Sequence, residues 1–84
     1  MTSEDRIIRG KNAEQLLSNP LMEEAFIALE QDIVDTWKRS TGVTADVRED
    51  LFRQLSVLST VKEKLESFVN DGKITQNRVN LKTL

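Results

Sequence analysis

Apolar residues recur with a helical period over most of this chain, and that period constrains the fold more than any other feature. Between Pro20 and Ser40, the residues Met22, Phe26, Leu29, Ile33 and Trp37 follow one another at steps of 4, 3, 4 and 4. Between Ala45 and Asn70, the series Val47, Leu51, Leu55, Leu58, Val61, Leu65 and Phe68 steps 4, 4, 3, 3, 4 and 3. Steps of three and four stack side chains on one face of a helix, whereas a half-buried strand would alternate. The fold class is therefore all-α. At 1.5 Å per residue the two helices reach roughly 30 and 40 Å. The short connection Thr41-Gly42-Val43-Thr44 folds them back on each other as a long antiparallel helical hairpin.

Turn chemistry sets the boundaries. Asn19 is a good N-cap, and Pro20 suits the first helical position, where its missing N–H costs nothing. Gly42 suits the left-handed residue that ends a helix, and Thr44 can cap the next one. Asn70-Asp71-Gly72 reads as a further helix stop. Ahead of the hairpin, Ser3–Ser18 is expected to be a short N-terminal helix. Ser3 would be its cap, Glu4 and Asp5 favour the positive end of the helix dipole, and Ile7, Ile8, Leu16 and Leu17 give it an apolar side. Gly10 within it costs about 1 kcal/mol against alanine. The organisation is thus an N-terminal helix over 1–18, a hairpin core over 19–72 and a C-terminal tail over 73–84, docked or disordered.

Leu51, Leu58 and Leu65 stand one heptad apart, with Val47, Val61 and Phe68 interleaved and Gln54 breaking the second row. This is a coiled-coil-like seam, and with Phe26 and Ile33 it would hold the hairpin. A two-helix hairpin buries one stripe per helix. Ile27 and Val34, Phe52 and Val57, and Trp37 near the hairpin end lie off that stripe and need other cover. Trp37 reads first as a core or hairpin-end anchor, with an interface residue, a role in which tryptophan is enriched, as the sharper alternative. Two arrangements meet the need: a compact three-helix monomer in which the first helix covers everything, or a helical oligomer with Ile27, Val34, Trp37, Phe52 and Val57 between copies. The oligomer is the better fit, because a chain of 84 residues obtains little stability from a single core.

Composition narrows function. There is no Cys, which removes disulfides and thiol chemistry, and no His, the commonest general base and transition-metal ligand. No Gly-rich phosphate loop or nucleophile elbow occurs, and Ser56 and Ser67 have no recognisable base. Glu23–Glu24, Glu49–Asp50 and the trio Glu30, Asp32 and Asp35 read as solvated faces, without the spacing of a calcium loop. Lys62 and Lys64 read as surface partners of Glu66. Within the charge-dense segment Asp46–Arg53, Arg48 and Arg53 can bridge to acids across the hairpin or a subunit boundary. The expected protein is not an enzyme and carries no catalytic residue, metal or cofactor. The polar, acidic start Met1-Thr2-Ser3-Glu4-Asp5 is not a secretory signal, and no apolar run approaches the roughly 20 residues that cross a bilayer. A cytoplasmic protein without membrane contact is expected.

Charge is uneven. Residues 1–71 carry 9 basic and 14 acidic side chains, whereas residues 72–84 carry Lys73, Arg78 and Lys82 and no acid. Such a tail can touch the phosphate backbone of DNA, weakly for one chain and more strongly when repeated in an oligomer. It also suits a plain packing or solubilising tail.

Asn19-Pro20-Leu21, Glu24-Ala25-Phe26, Leu29-Glu30, Trp37-Lys38 with Thr41, Arg48-Glu49-Asp50-Leu51-Phe52, and Leu65-Glu66 with Gly72-Lys73 together resemble small helical proteins of tailed phages and gene-transfer elements. Some of these are regarded as small terminase subunits. The resemblance covers about two thirds of the chain. It implies a helical hairpin that assembles into a ring or other homo-oligomer and presents viral DNA to the packaging motor, with the large terminase subunit and double-stranded DNA as partners. No helix-turn-helix precedes the hairpin, and Ser3–Ser18 sets Arg6, Arg9 and Lys11 against Glu4, Asp5 and Glu14. Any DNA contact would be to the backbone. The alternative is a small virion or host-modulating protein that binds another protein and never meets DNA.

Overall fold

The structure, a computed structural model, describes residues 1–39 and 45–82. All regular structure among them is helical: α1 (Ser3–Ser18), α2 (Pro20–Lys38) and α3 (Ala45–Lys82). The expected Gly42 stop and Thr44 cap lie outside the described residues.

The N-terminus of α1 is capped one residue earlier than expected. Thr2, not Ser3, accepts the backbone N–H of Asp5 on its hydroxyl (3.1 Å), and the Asp5 carboxylate accepts the Thr2 N–H in return (3.4 Å). Two orphan amides are satisfied reciprocally, which Ser3 inside the first turn cannot do. The break between α1 and α2 follows the expected chemistry. The Asn19 side-chain oxygen accepts the N–H groups of Leu21 (2.9 Å) and Met22 (3.4 Å), with Pro20 at the first helical position.

The third boundary is a correction. Asn70-Asp71-Gly72 does not end a helix; α3 runs through it to Lys82, a span of 38 residues, or about 57 Å. Of the expected tail, Lys73 to Lys82 are the last turns of α3, with Thr75 buried. Gly72 stays helical because α1 packs directly against it. Gly10 and Gly72 face each other so closely that a Cβ built on Gly10 would lie 2.9 Å from the Gly72 Cα and 2.9 Å from the Phe68 carbonyl oxygen. Burial of Gly10, Ala13, Gly72 and Thr75 marks this crossing. Close backbone approach offsets the propensity cost of each glycine.

Contacts descend along α3 as they ascend along α1 and α2. Arg6 meets Asp71, and Leu17 and Ser18 lie beside Glu66 and Val69. Glu30 meets Lys62, and Trp37 lies beside Leu51 and Phe52. The first two helices therefore lie in tandem along the third, α1 on its C-terminal half and α2 on its N-terminal half. The molecule measures 64 × 24 × 16 Å. The first helix does not cover the α2–α3 region, so the compact three-helix monomer is not the arrangement seen.

Along α3, buried and half-buried residues include the series Leu51, Leu55, Leu58, Lys62, Leu65, Val69, Gly72, Gln76 and Val79, at alternating steps of four and three, with Phe68, Asp71 and Thr75 covered beside it. That is the 3.5-residue period of a coiled-coil seam. Lys62 holds the seam position that the apolar pattern assigned to Val61, and Glu30 holds the one assigned to Leu29 on α2. Their charges meet at 3.8 Å, and the Lys62 ammonium lies 5.6 Å from the centre of the buried Phe26 ring. The lysine stem covers apolar surface while its head reaches a carboxylate and a π-face.

Candidate functional site: an apolar cleft between the second and third helices

Past the Glu30–Lys62 pair, α2 and α3 enclose a cleft of about 520 Å³. Ile33, Val34 and Trp37 form one wall, Leu51, Phe52 and Leu55 the other, and Arg48, Glu49 and Arg53 the polar rim. The apolar walls follow from the seam. Ile33, Leu51 and Leu55 are seam residues, whereas Val34 and Phe52 stand one residue to the side. Trp37 remains 52% exposed and Phe52 71% exposed. Among the described residues no large side chain is wholly buried, and the buried apolar residues are Ala13, Phe26 and Leu51. Two large aromatic side chains thus stand exposed at one concavity. The rim is mixed in charge, with Glu49 and Arg53 paired at 3.8 Å along the helix.

Of the five residues expected between copies, the cleft gathers Val34, Trp37 and Phe52. Ile27 is exposed one heptad before Val34, on the same stripe of α2 but beyond the cleft. Val57 is separate. It follows Phe52 by five residues, roughly 140° around α3 at 100° per residue, and is 62% exposed on another face. The seam residues Phe26, Ile33, Leu51, Leu58 and Leu65 all face the helix contacts, as expected.

The three basic residues proposed for DNA do not form one patch. Lys73 lies near α1, its ammonium 4.0 Å from the Glu14 carboxylate. Arg78 and Lys82 are exposed farther along α3. They lie within roughly 40° of each other but about 140–180° from Lys73 around the helix.

Sequence reasoning missed the fastening between α1 and α3. Arg6 grips the Asp71 carboxylate with two donors, Nε to Oδ2 (3.0 Å) and Nη2 to Oδ1, and Arg9 adds a bond from Nη2 to Oδ2 at 3.1 Å. The Arg9 guanidinium carbon also lies 4.2 Å from the centre of the Phe68 ring, and its Nε is buried without an acceptor. The Asp71 carboxyl is held below its ordinary value, first by the Arg6 hydrogen bond, against the opposing effect of burial, with Arg9 assisting. Arg6 is correspondingly raised, first by its hydrogen bond to Asp71. The available signal was the pairing of small residues three apart, Gly10 with Ala13 and Gly72 with Thr75, each beside an arginine or aspartate.

Among the described residues, no helix is long and apolar enough to cross a membrane. No protein-family model matches the chain, and no curated protein or solved structure matches it either.

Proposed function

We propose that this chain is a non-enzymatic helical adaptor that works as a homo-oligomer, with α2 and α3 acting as a hairpin-like oligomerisation core. The observation that carries this reading is surface in excess of what a compact chain exposes. A compact monomer of this length exposes about 5,100 Å², against 6550 Å² here. Its radius of gyration would be about 12 Å, against 18.1 Å here. The excess, about 1,400 Å², is of the order that one partner contributes to an extensive permanent interface. Much of the exposed apolar side chain is on α2 and α3, including Phe52 and Trp37.

The phage resemblance supplies a setting for such an oligomer: a small terminase-like adaptor that presents DNA to a packaging motor, with Arg78 and Lys82 repeated around the assembly as a weak phosphate-binding set. The separation of Lys73 from that pair favours the second reading, a virion or host-modulating module that binds protein and not DNA. Native mass spectrometry at tens of micromolar, with and without a DNA duplex, tests both. Masses of several chains support the adaptor, and a strict monomer overturns it. A DNA complex that weakens with salt, and weakens further in Arg78→Glu/Lys82→Glu, supports the packaging setting. An oligomer indifferent to DNA leaves the protein-binding module.

A further inference from the structure

The α2–α3 rod has a second apolar face opposite the cleft. Glu30 and Lys62 point at each other across the two helices, which run in opposite directions. The residue before each is turned by about 100°, and in an antiparallel pair those two turns lead to the same side. Leu29 and Val61 therefore share one face, 50% and 46% exposed. Val57 lies one turn before Val61 on that face. The three form a ridge at the middle of the rod. By the same geometry, Val34 and Phe52 lie on the opposite side, where the cleft opens. The flanking charges differ in net sign, because the Glu49–Arg53 pair at the cleft edge cancels its own charge and leaves Arg48 in excess. Asp50 lies in line with Val57 and Val61 on α3 and Asp32 lies beside Leu29 on α2, while Arg48 edges the cleft next to the Glu49–Arg53 pair. Lys64, farther along the ridge face, is turned over the Phe68 ring at 5.9 Å.

We infer that the occupant of the cleft is the Leu29–Val57–Val61 ridge of a second copy of this chain, so that copies join head to tail. This rests on the homo-oligomeric reading above and specifies its contact. A two-fold contact of cleft on cleft would cover one apolar face and leave the ridge in water. A heterologous contact covers both, sets the aspartates of the ridge beside Arg48 of the cleft, and repeats from copy to copy.

Complementation between two variants tests it. Phe52→Glu disables the cleft and Val57→Glu/Val61→Glu disables the ridge; all three positions are exposed, and circular dichroism verifies that each variant remains helical. In native mass spectrometry the wild-type chain is expected above two copies. Each variant alone is expected as a monomer, with association weakened at least tenfold. The mixture is expected as a one-to-one dimer, because one intact cleft then meets one intact ridge. A wild-type assembly that stops at two copies, a ridge variant that still self-associates, or a mixture that stays monomeric overturns the head-to-tail contact but leaves the adaptor standing. A wild-type monomer overturns both.

Discussion

Gly10 and Gly72 show how one hydrogen atom in place of a methyl group positions a helix. Alanine in either place favours the helical backbone by about 1 kcal/mol in isolation. Here the added carbon on Gly10 meets backbone on α3 at 2.9 Å, and backbone cannot swing aside as a side-chain tip can. Overpacking of this kind costs about 1–3 kcal/mol and loosens the contacts around it. Gly10→Ala is expected to lower the melting temperature despite its better propensity; an unchanged or higher melting temperature would show that α1 is not packed this way. The neighbouring carboxylate gives a pH dependence. Asp71 is held below its ordinary value of 3.8 by Arg6 and Arg9, so the folded state favours its charged form. That contribution is full above the ordinary value and is lost as pH falls through it and through the lower folded value. Denaturant titrations should find wild type more stable than Asp71→Asn at neutral pH, with the gap closing in acid. A gap independent of pH would assign the effect to packing.

At the scale of the element, the three helices differ in how openly they declare themselves. The start of helix α2 is legible, because Asn19 and Pro20 are local signals, and its apolar residues recur at helical steps, although Glu30 and not Leu29 takes one seam position. The cap of α1 shifts to Thr2 because Asp5, three residues on, completes a reciprocal pair that Ser3 has no partner to form. The length of α3 was not legible. Asn70-Asp71-Gly72 has the local chemistry of a stop, and only the packing of α1 against it turns that chemistry to another use. The seam of α3 was read one residue off at Val61, because apolar spacing is indifferent to a lysine that inserts its stem and pairs its head with Glu30. A half-exposed pair of this kind contributes at most about 1 kcal/mol. Replacing both partners with leucine should therefore raise stability by about 1 kcal/mol through apolar burial. A lower melting temperature for Glu30→Leu/Lys62→Leu would mean that the pair sets the rotation of α2 against α3.

Over the whole molecule, the controlling fact is shape. A rod 64 Å long and 16 Å across its thinnest direction has too little interior to bury a large side chain completely. The cleft is where this shows most, since Trp37 and Phe52 stand exposed on its two walls. Association that fills the cleft would take Trp37 out of water, so its emission should move to the blue as concentration rises through the assembly range. Phe52→Glu should abolish that concentration dependence. Emission that never changes with concentration would place the contact between copies elsewhere. Of the residues expected between copies, Val34, Trp37 and Phe52 lie together at the cleft, whereas Val57 belongs to another face because five residues of helix turn it away.

The amino-acid sequence by itself determined that this chain is helical, where α2 begins, where α1 begins to within one residue, and most of the stripe that each of the two longer helices turns inward, because capping and periodicity act over a few neighbouring residues. Only the tertiary structure decided that α3 continues past Gly72, that α1 lies on the C-terminal half of α3 instead of over the cleft, and that Asp71 holds two arginines. Those outcomes depend on residues about sixty positions apart meeting at contact distance, and no short-range pattern encodes which two surfaces will meet.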